Sequence, residues 1–187
     1  MTFQQYQDYF DAILNTSEPQ PPYDNESYLQ YAKLNGSRSQ RWLKQNPLTE
    51  ATKKIVTAIA QKQQWVVITE PWCGDAAHIV PILYLMSQLN DKIDFKLQLR
   101  DTDSEIEQYL THGTRSIPIL VVRDEKGTDL FHWGPRPAAA KKVYEELKEQ
   151  QADFEAAKIA LQQVYNADKS LGIQEEVSRL LLEHSKN

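Results

Sequence analysis

The sequence predicts an α/β fold: a mixed central sheet flanked by helices, with a helical extension at each end. Three observations predict it. Apolar residues recur at helical spacing in both terminal regions. In the middle, a short apolar strand, a helix and an alternating strand follow one another, and strands joined by a helical crossover lie parallel. A hairpin turn, Asp124-Glu125-Lys126-Gly127, then separates two further strand-like runs, which makes the sheet mixed.

Each element has a local reason. Thr2 to Asn15 sets Phe3, Tyr6, Phe10, Ile13 and Leu14 at helical spacing, so an aromatic face is expected to dock on the domain. Glu18-Pro19-Gln20-Pro21-Pro22 reads as an extended linker. A helical pattern from about Glu26 to Leu34 is expected to stop at Asn35-Gly36-Ser37, and a short helix follows around Ser39–Gln45. Asn46-Pro47 breaks the chain, Thr49 is an N-cap, and Ile55, Val56, Ile59 and Ala60 form a stripe up to about Gln63.

Trp65–Thr69 reads as a buried strand and Pro71-Trp72-Cys73-Gly74 as a turn. A helix from about Asp75 to Leu89 contains Pro81, which predicts a kink. Ile93–Leu99 alternates as a half-buried strand, and Ser104–Thr111 reads as a short helix. Ile117–Val122 and Asp129–Trp133 are the strands of the hairpin; since His132 and Trp133 alternate, they face opposite ways. From Ala138 onward the pattern is helical, with breaks near Asn166–Ser170 and at Gly172, and a last helix over Gln174–Glu183. The charge-rich Lys141–Glu155 run reads as a solvated helix face. Trp42, Trp65 and Trp133 read as packing residues. The chain divides into an N-terminal helical extension (1–48), an α/β domain (49–150) and a C-terminal helical extension (151–187).

Composition narrows the function. Of 187 residues, 41% are hydrophobic and 25% charged, which excludes disordered and collagen-like chains. The net charge of −5, with no basic stripe evident, argues against a nucleic-acid partner. No apolar run is long enough to span a bilayer, so no membrane partner is expected. MTFQQYQDYFDAILNTSE lacks the basic start and apolar core of a secretory signal, so the expected location is cytoplasmic. Cys73 is the single cysteine, which excludes an intramolecular disulfide and a cysteine-based zinc site. Histidine spacing gives no metal site, and no metal, nucleotide or organic cofactor is implied.

Cys73 leaves a buried strand and precedes a helix, the edge where chemistry concentrates in open α/β sheets. Unpaired N–H groups and the positive end of the helix dipole favour a thiolate there, and the thiolate is the nucleophile. Asp75, a like charge two residues on, opposes it. His78 is expected to face solvent, about 140° from the cysteine direction around the helix. His112 reads as a surface-loop residue. Glu70 either tunes Cys73 or simply ends the strand, and Arg115 either favours an acidic substrate or is a plain surface arginine.

Trp72-Cys73-Gly74-Asp75-Ala76, with Pro81 eight residues after Cys73, resembles the thioredoxin active-site turn Trp-Cys-Gly-Pro-Cys and its kinked helix. Gly113-Thr114-Arg115-Ser116-Ile117-Pro118 resembles the segment that leads to the thioredoxin cis-proline, and Gly134 the small residue completing the substrate groove. The resemblance covers about Thr49 to Gln150. It implies a thioredoxin-like fold with Cys73 as nucleophile, Pro118 presenting the backbone of Ile117 to substrate, and Trp72, Gly74, Asp75 and Gly134 bordering the groove. Trp-Cys-Gly-Asp-Ala also resembles the pattern of a bacterial branch of such proteins, whose N-terminal helices carry a segment similar to Ser39-Gln40-Arg41-Trp42.

Departures from the family are specific. The second cysteine is Ala76, the proline between the cysteines is Asp75, and the family's buried acid falls on Val67. A chain with one thiol cannot resolve its own mixed disulfide. Two functions follow. One is a monothiol oxidoreductase acting on protein disulfides or thiol-capped cysteines, resolved by a low-molecular-weight thiol or a partner's thiol. The other is a redox-inactive module that holds a peptide or protein in the same groove.

Overall fold

Four strands and seven helices account for the fold in the computed structural model, which describes residues 1–184. The strands are β1 (Gln63–Thr69), β2 (Ile93–Leu99), β3 (Ile119–Asp124) and β4 (Asp129–Trp133). They lie in the order β2-β1-β3-β4. β1 runs parallel to β2, with Val67 opposite Leu97, and antiparallel to β3, with Val66 opposite Val121; β3 and β4 form the hairpin. Trp65 to Thr69 are buried without alternation, because helices cover both faces of this central strand. β2 instead alternates, burying Ile93, Phe95, Leu97 and Leu99.

Helices α1 (Phe3–Asn15) and α2 (Glu26–Gln45) form the N-terminal extension. Thr2 and Gln5 make a capping box at the start of α1. Its aromatic face docks as the spacing predicts: Phe3 stacks on Tyr84 at 3.7 Å and meets Phe95 edge-on. The Met1 backbone exchanges hydrogen bonds with Leu97, which covers the free edge of β2. Helix α3 (Glu50–Thr57) is capped by Thr49, and α4 (Ala76–Ser87) leaves the carboxyl end of β1 with nearly every residue buried and Pro81 inside it.

The C-terminal region forms α5 (Ala138–Glu149), α6 (Phe154–Asp168) and α7 (Leu171–His184). Val177 and Leu181 are buried in α7, Leu180 is half-buried and Leu182 is exposed. The buried Gln174 side chain accepts from the Thr49 N–H and donates to the Pro47 carbonyl, tying α7 to the start of α3.

Local signals misplace several boundaries. Asn35-Gly36-Ser37 does not end a helix; α2 runs unbroken through it. Asn35 is buried and donates to the Pro71 carbonyl, and at Gly36 a Cβ would come 3.3 Å from the Phe10 ring, so tertiary contacts recruit two weak helix formers. Helix α3 stops at Thr57 rather than near Gln63, where the Asn90 amide takes up the carbonyls of Val56 and Ile59. The helix expected over Ser104–Thr111 shrinks to one 3₁₀ turn at Ile106–Gln108. An additional break separates α5 from α6, with Asp153 capping the latter, while Gly172 lies inside the first turn of α7. No described helix is long and apolar enough to cross a membrane.

Candidate functional site

The turn between β1 and α4 delivers Cys73. Its N–H donates to the Glu70 carbonyl, and its own carbonyl accepts from Ala77, so the sulfur sits at the first turn of α4. The thiol donates to the Ile117 carbonyl at 3.5 Å. The Ile117–Pro118 bond is cis. Cys73 is only 7% exposed. Burial, then the Asp75 charge, push its thiol up to about 12, against the N–H groups of Ala76 and Asp75 and the positive charge of Arg136. Desolvation thus outweighs the helix terminus.

Asp75 is buried as well, and its carboxylate is engaged rather than offered to a groove. One oxygen pairs with Arg136 at 2.6 Å and the other accepts from the Tyr165 hydroxyl at 2.8 Å. Burial raises its pKa while these two contacts pull it back. Arg136 lies over the Tyr144 ring, so the ion pair is closed in by α5 and α6.

His78 does not face solvent as the spacing suggests; it is 2% exposed. The extensions cover the side of α4 that would otherwise be outside. The Trp42 indole N–H donates to His78 Nδ1 at 3.0 Å, which leaves the proton on Nε2 to donate to Gln162 Oε1 at 3.1 Å. Tyr165 stacks on the imidazole at 4.4 Å. Burial, with Arg38 and Arg41 nearby, lowers the His78 pKa to about 4, against the pull of the Gln162 contact, so the ring is neutral.

The other groove candidates gather nearby. Trp72 is half-buried between the edge of Tyr28 at 5.8 Å and the guanidinium of Arg100 at 4.6 Å. Gly74 is exposed with open space where a side chain would be. Gly134, at φ +132°, brings the end of β4 against the Pro118 carbonyl; a Cβ there would lie 2.3 Å from that oxygen. Val67, where the resemblance puts a buried acid, is fully buried.

Glu70 supplies a buried carboxyl three residues from Cys73. It accepts from the Asp101 N–H at 2.9 Å, and burial raises its pKa to about 7. A cavity of about 10 Å³, room for one water, is lined by Tyr6, Asn35, Ser39, Glu70 and Cys73. Arg115 pairs with Glu107 in solvent, His112 has φ +50° in a loop, and His132 is exposed while Trp133 is buried. No group of three His, Cys, Asp or Glu able to hold a metal occurs among the described residues.

Sequence reading missed Arg136, Tyr165 and the Trp42–His78 bond. A carboxylate beside a buried strand end demands a counter-charge, and Arg136 follows Gly134-Pro135 closely enough to have been a candidate. Tyr165 lies ninety residues from Asp75 and carried no local signal.

A family model described as Thioredoxin matches residues 22–151, more than half of the chain. A search of curated proteins found no match. Among solved structures, an HIV epitope-scaffold is similar with a TM-score of 0.55 and 15% identity, over 98% of this chain and 99% of that one. A protein of unknown function from Pseudomonas aeruginosa is similar with a TM-score of 0.48 and 16% identity, over 91% of this chain and 99% of that one.

Proposed function

The chain belongs to the thioredoxin family, and from that premise we propose that it is a monothiol thiol–disulfide oxidoreductase acting through Cys73. The observation that carries the proposal is the seat of Cys73. Its thiol lies at the first turn of α4, where the N–H groups of Asp75 and Ala76 favour the thiolate, with the Ile117 carbonyl alongside. Ala76 in place of a second cysteine supports the monothiol assignment, as does the Trp-Cys-Gly-Asp-Ala pattern.

Ionised Cys73 attacks one sulfur of a protein disulfide or thiol-capped cysteine. A Cys73–S bond forms, the original S–S bond breaks, and its electron pair leaves on the displaced thiolate, which takes up a proton. An external thiol, either small or on a partner protein, then attacks the mixed disulfide, is itself oxidised, and returns Cys73 to the thiol. The Ile117 backbone before Pro118 would hold an extended substrate, with Trp72 on one side and the Gly134 backbone, packed against the Pro118 carbonyl, on the other. No cofactor enters, and the reading assigns the reaction to the cytoplasm, where small thiols are kept reduced. It takes residues 49–150 as the thioredoxin-like unit and 1–48 and 151–187 as extensions dressing its site.

A thiol with a raised pKa attacks slowly at neutral pH but is also a poor leaving group, so its mixed disulfide persists once made. Burial of Cys73 favours a second reading, a redox-inactive module that uses the groove to hold a partner. Oxidised glutathione and iodoacetamide, followed by intact mass across pH 6–11, separate the two. A glutathione adduct that forms on Cys73, is reversed by dithiothreitol and is lost in Cys73→Ser supports exchange, and the iodoacetamide rate reports how far the thiol ionises. No adduct below pH 9, with partner capture indifferent to reductant and to Cys73→Ala, moves the assignment to the binding module.

A further inference from the structure

Contrary to the expectation of no basic stripe, residues 27–49 carry Lys33, Arg38, Arg41 and Lys44 without one Asp or Glu, in a chain of net charge −5. Five of the protein's arginines, Arg100, Arg115, Arg123, Arg136 and Arg179, each pair with a carboxylate. Among the described residues no carboxylate pairs with Arg38 or Arg41, which stand one turn apart on α2. Both are held by neutral amide oxygens instead. Arg38 donates to Asn35 Oδ1 at 3.1 Å, and Arg41 to Asn166 Oδ1 at 3.0 Å, with its guanidinium 4.9 Å from the Trp42 ring centre. Burial and the charge of Arg41 depress the Arg38 pKa, so the two cations repel one another with no anion between them.

One of those anchors leads to the turn that carries Cys73, and the other to His78 on the same helix α4. Asn35 donates to the carbonyl of Pro71, two residues before Cys73, and Ser39, next to Arg38, lines the cavity that Cys73 lines. On the other side, Asn166 accepts from Gln162, which bonds His78. Neutral anchors orient both guanidinium groups, and no other described residue claims their remaining N–H donors. A planar carboxylate fits such a fork in bidentate fashion, and two forks on adjacent turns fit an acidic ligand better than either alone.

We propose that Arg38 and Arg41 form the receiving site for a carboxylate carried by the substrate of Cys73. The proposal rests on the exchange reading above and gives it a substrate class, acidic thiols and disulfides. Arg115 does not fill this role, since Glu107 already pairs with it.

The test uses the full chain and two hexapeptides, each with one cysteine held as its 2-thiopyridyl disulfide. Asp and Glu flank that cysteine in one peptide, Asn and Gln in the other. Oxidised glutathione is the third probe. Cys73 attacks the peptide sulfur, the bond to the thiopyridyl group breaks, and pyridine-2-thiol is released and read by absorbance.

At low ionic strength the acidic peptide reacts about tenfold faster than the amide peptide. Arg38→Gln/Arg41→Gln abolishes that preference while leaving the amide peptide's rate unchanged, and Arg38→Lys/Arg41→Lys keeps part of it. A loss confined to the acidic peptide assigns the carboxylate to a polypeptide, and one confined to glutathione assigns it to a small thiol; both support the site. Equal effects on acidic and amide peptides, with none on glutathione, overturn it. If no probe forms an adduct, the exchange reading falls. Fluorescence anisotropy of a labelled acidic peptide with the Cys73→Ser chain still decides the arginine site, by whether Arg38→Gln/Arg41→Gln removes binding.

Discussion

Between the Cys73 sulfur and the Asp75 carboxylate there is little water to screen like charge, so the carboxylate makes the thiol harder to ionise. Arg136 and the N–H groups of Ala76 and Asp75 pull the other way and lose. Asp75→Asn keeps an oxygen for the Tyr165 hydroxyl, deletes the like charge and frees Arg136 to act on the sulfur alone. The thiol pKa is expected to fall by about one unit, raising the thiolate fraction about tenfold at pH 8, with slightly less gain in rate because nucleophilicity falls with pKa. The measurement is the iodoacetamide rate of variant and parent against pH. An unchanged rate would show that burial alone sets the pKa.

Helix α6 is fifteen residues long, yet among them only Tyr165 is fully buried, and Phe154 and Ile159 are largely exposed. Beside the half-buried Leu161 and Val164, which pack on the core, polar contacts hold it: Tyr165 to Asp75, Gln162 to His78, Asn166 to Arg41, and Glu155 to the Tyr31 hydroxyl. Tyr165→Phe preserves the stacking on His78 and removes one donor from a buried carboxylate. A loss of about 1.5–3 kcal/mol in urea unfolding is expected, with faster amide exchange in α6 than in β1. A loss spread evenly over the molecule would mean that α6 opens only with the whole fold.

Two buried titratable groups give the whole molecule opposing responses to pH. Glu70 has a folded pKa of about 7, above its ordinary 4.5, so its contribution is complete below 4.5 and lost as pH rises through 7. His78 has a folded pKa of about 4, below its ordinary 6.5, so its contribution is present above 6.5 and lost as pH falls through 4. Between 4.5 and 6.5 the two slopes oppose. Glu70→Gln keeps the acceptor for the Asp101 N–H and removes one of them. Relative to the parent, its Tm is expected to climb from pH 4.5 to 7 and then level off, while the variant itself loses stability on acidification below 6.5. A constant offset between the two Tm curves would show that Glu70 is not the titrating group.

Periodicity and turn chemistry determined the parallel β1–β2 pair, the β3–β4 hairpin, the docking face of α1 and the placing of Cys73 at a strand-to-helix turn. These are local properties, in which spacing dictates which side of an element is apolar and a tight turn dictates where a strand reverses. The Trp-Cys-Gly-Asp-Ala turn and Pro118 made the family legible for the same reason, since each motif is contiguous. Tertiary structure decided the rest. Asn35 and Gly36 stay helical because Pro71 and Phe10 meet them. His78 is buried because Trp42 and Gln162 arrive from the two extensions. Cys73 is protonated because burial overrules the helix terminus, and Asp75 is tolerated because Arg136 and Tyr165 close around it. Solvation and long-range charge depend on which distant side chains exclude water, and no window of sequence contains that information.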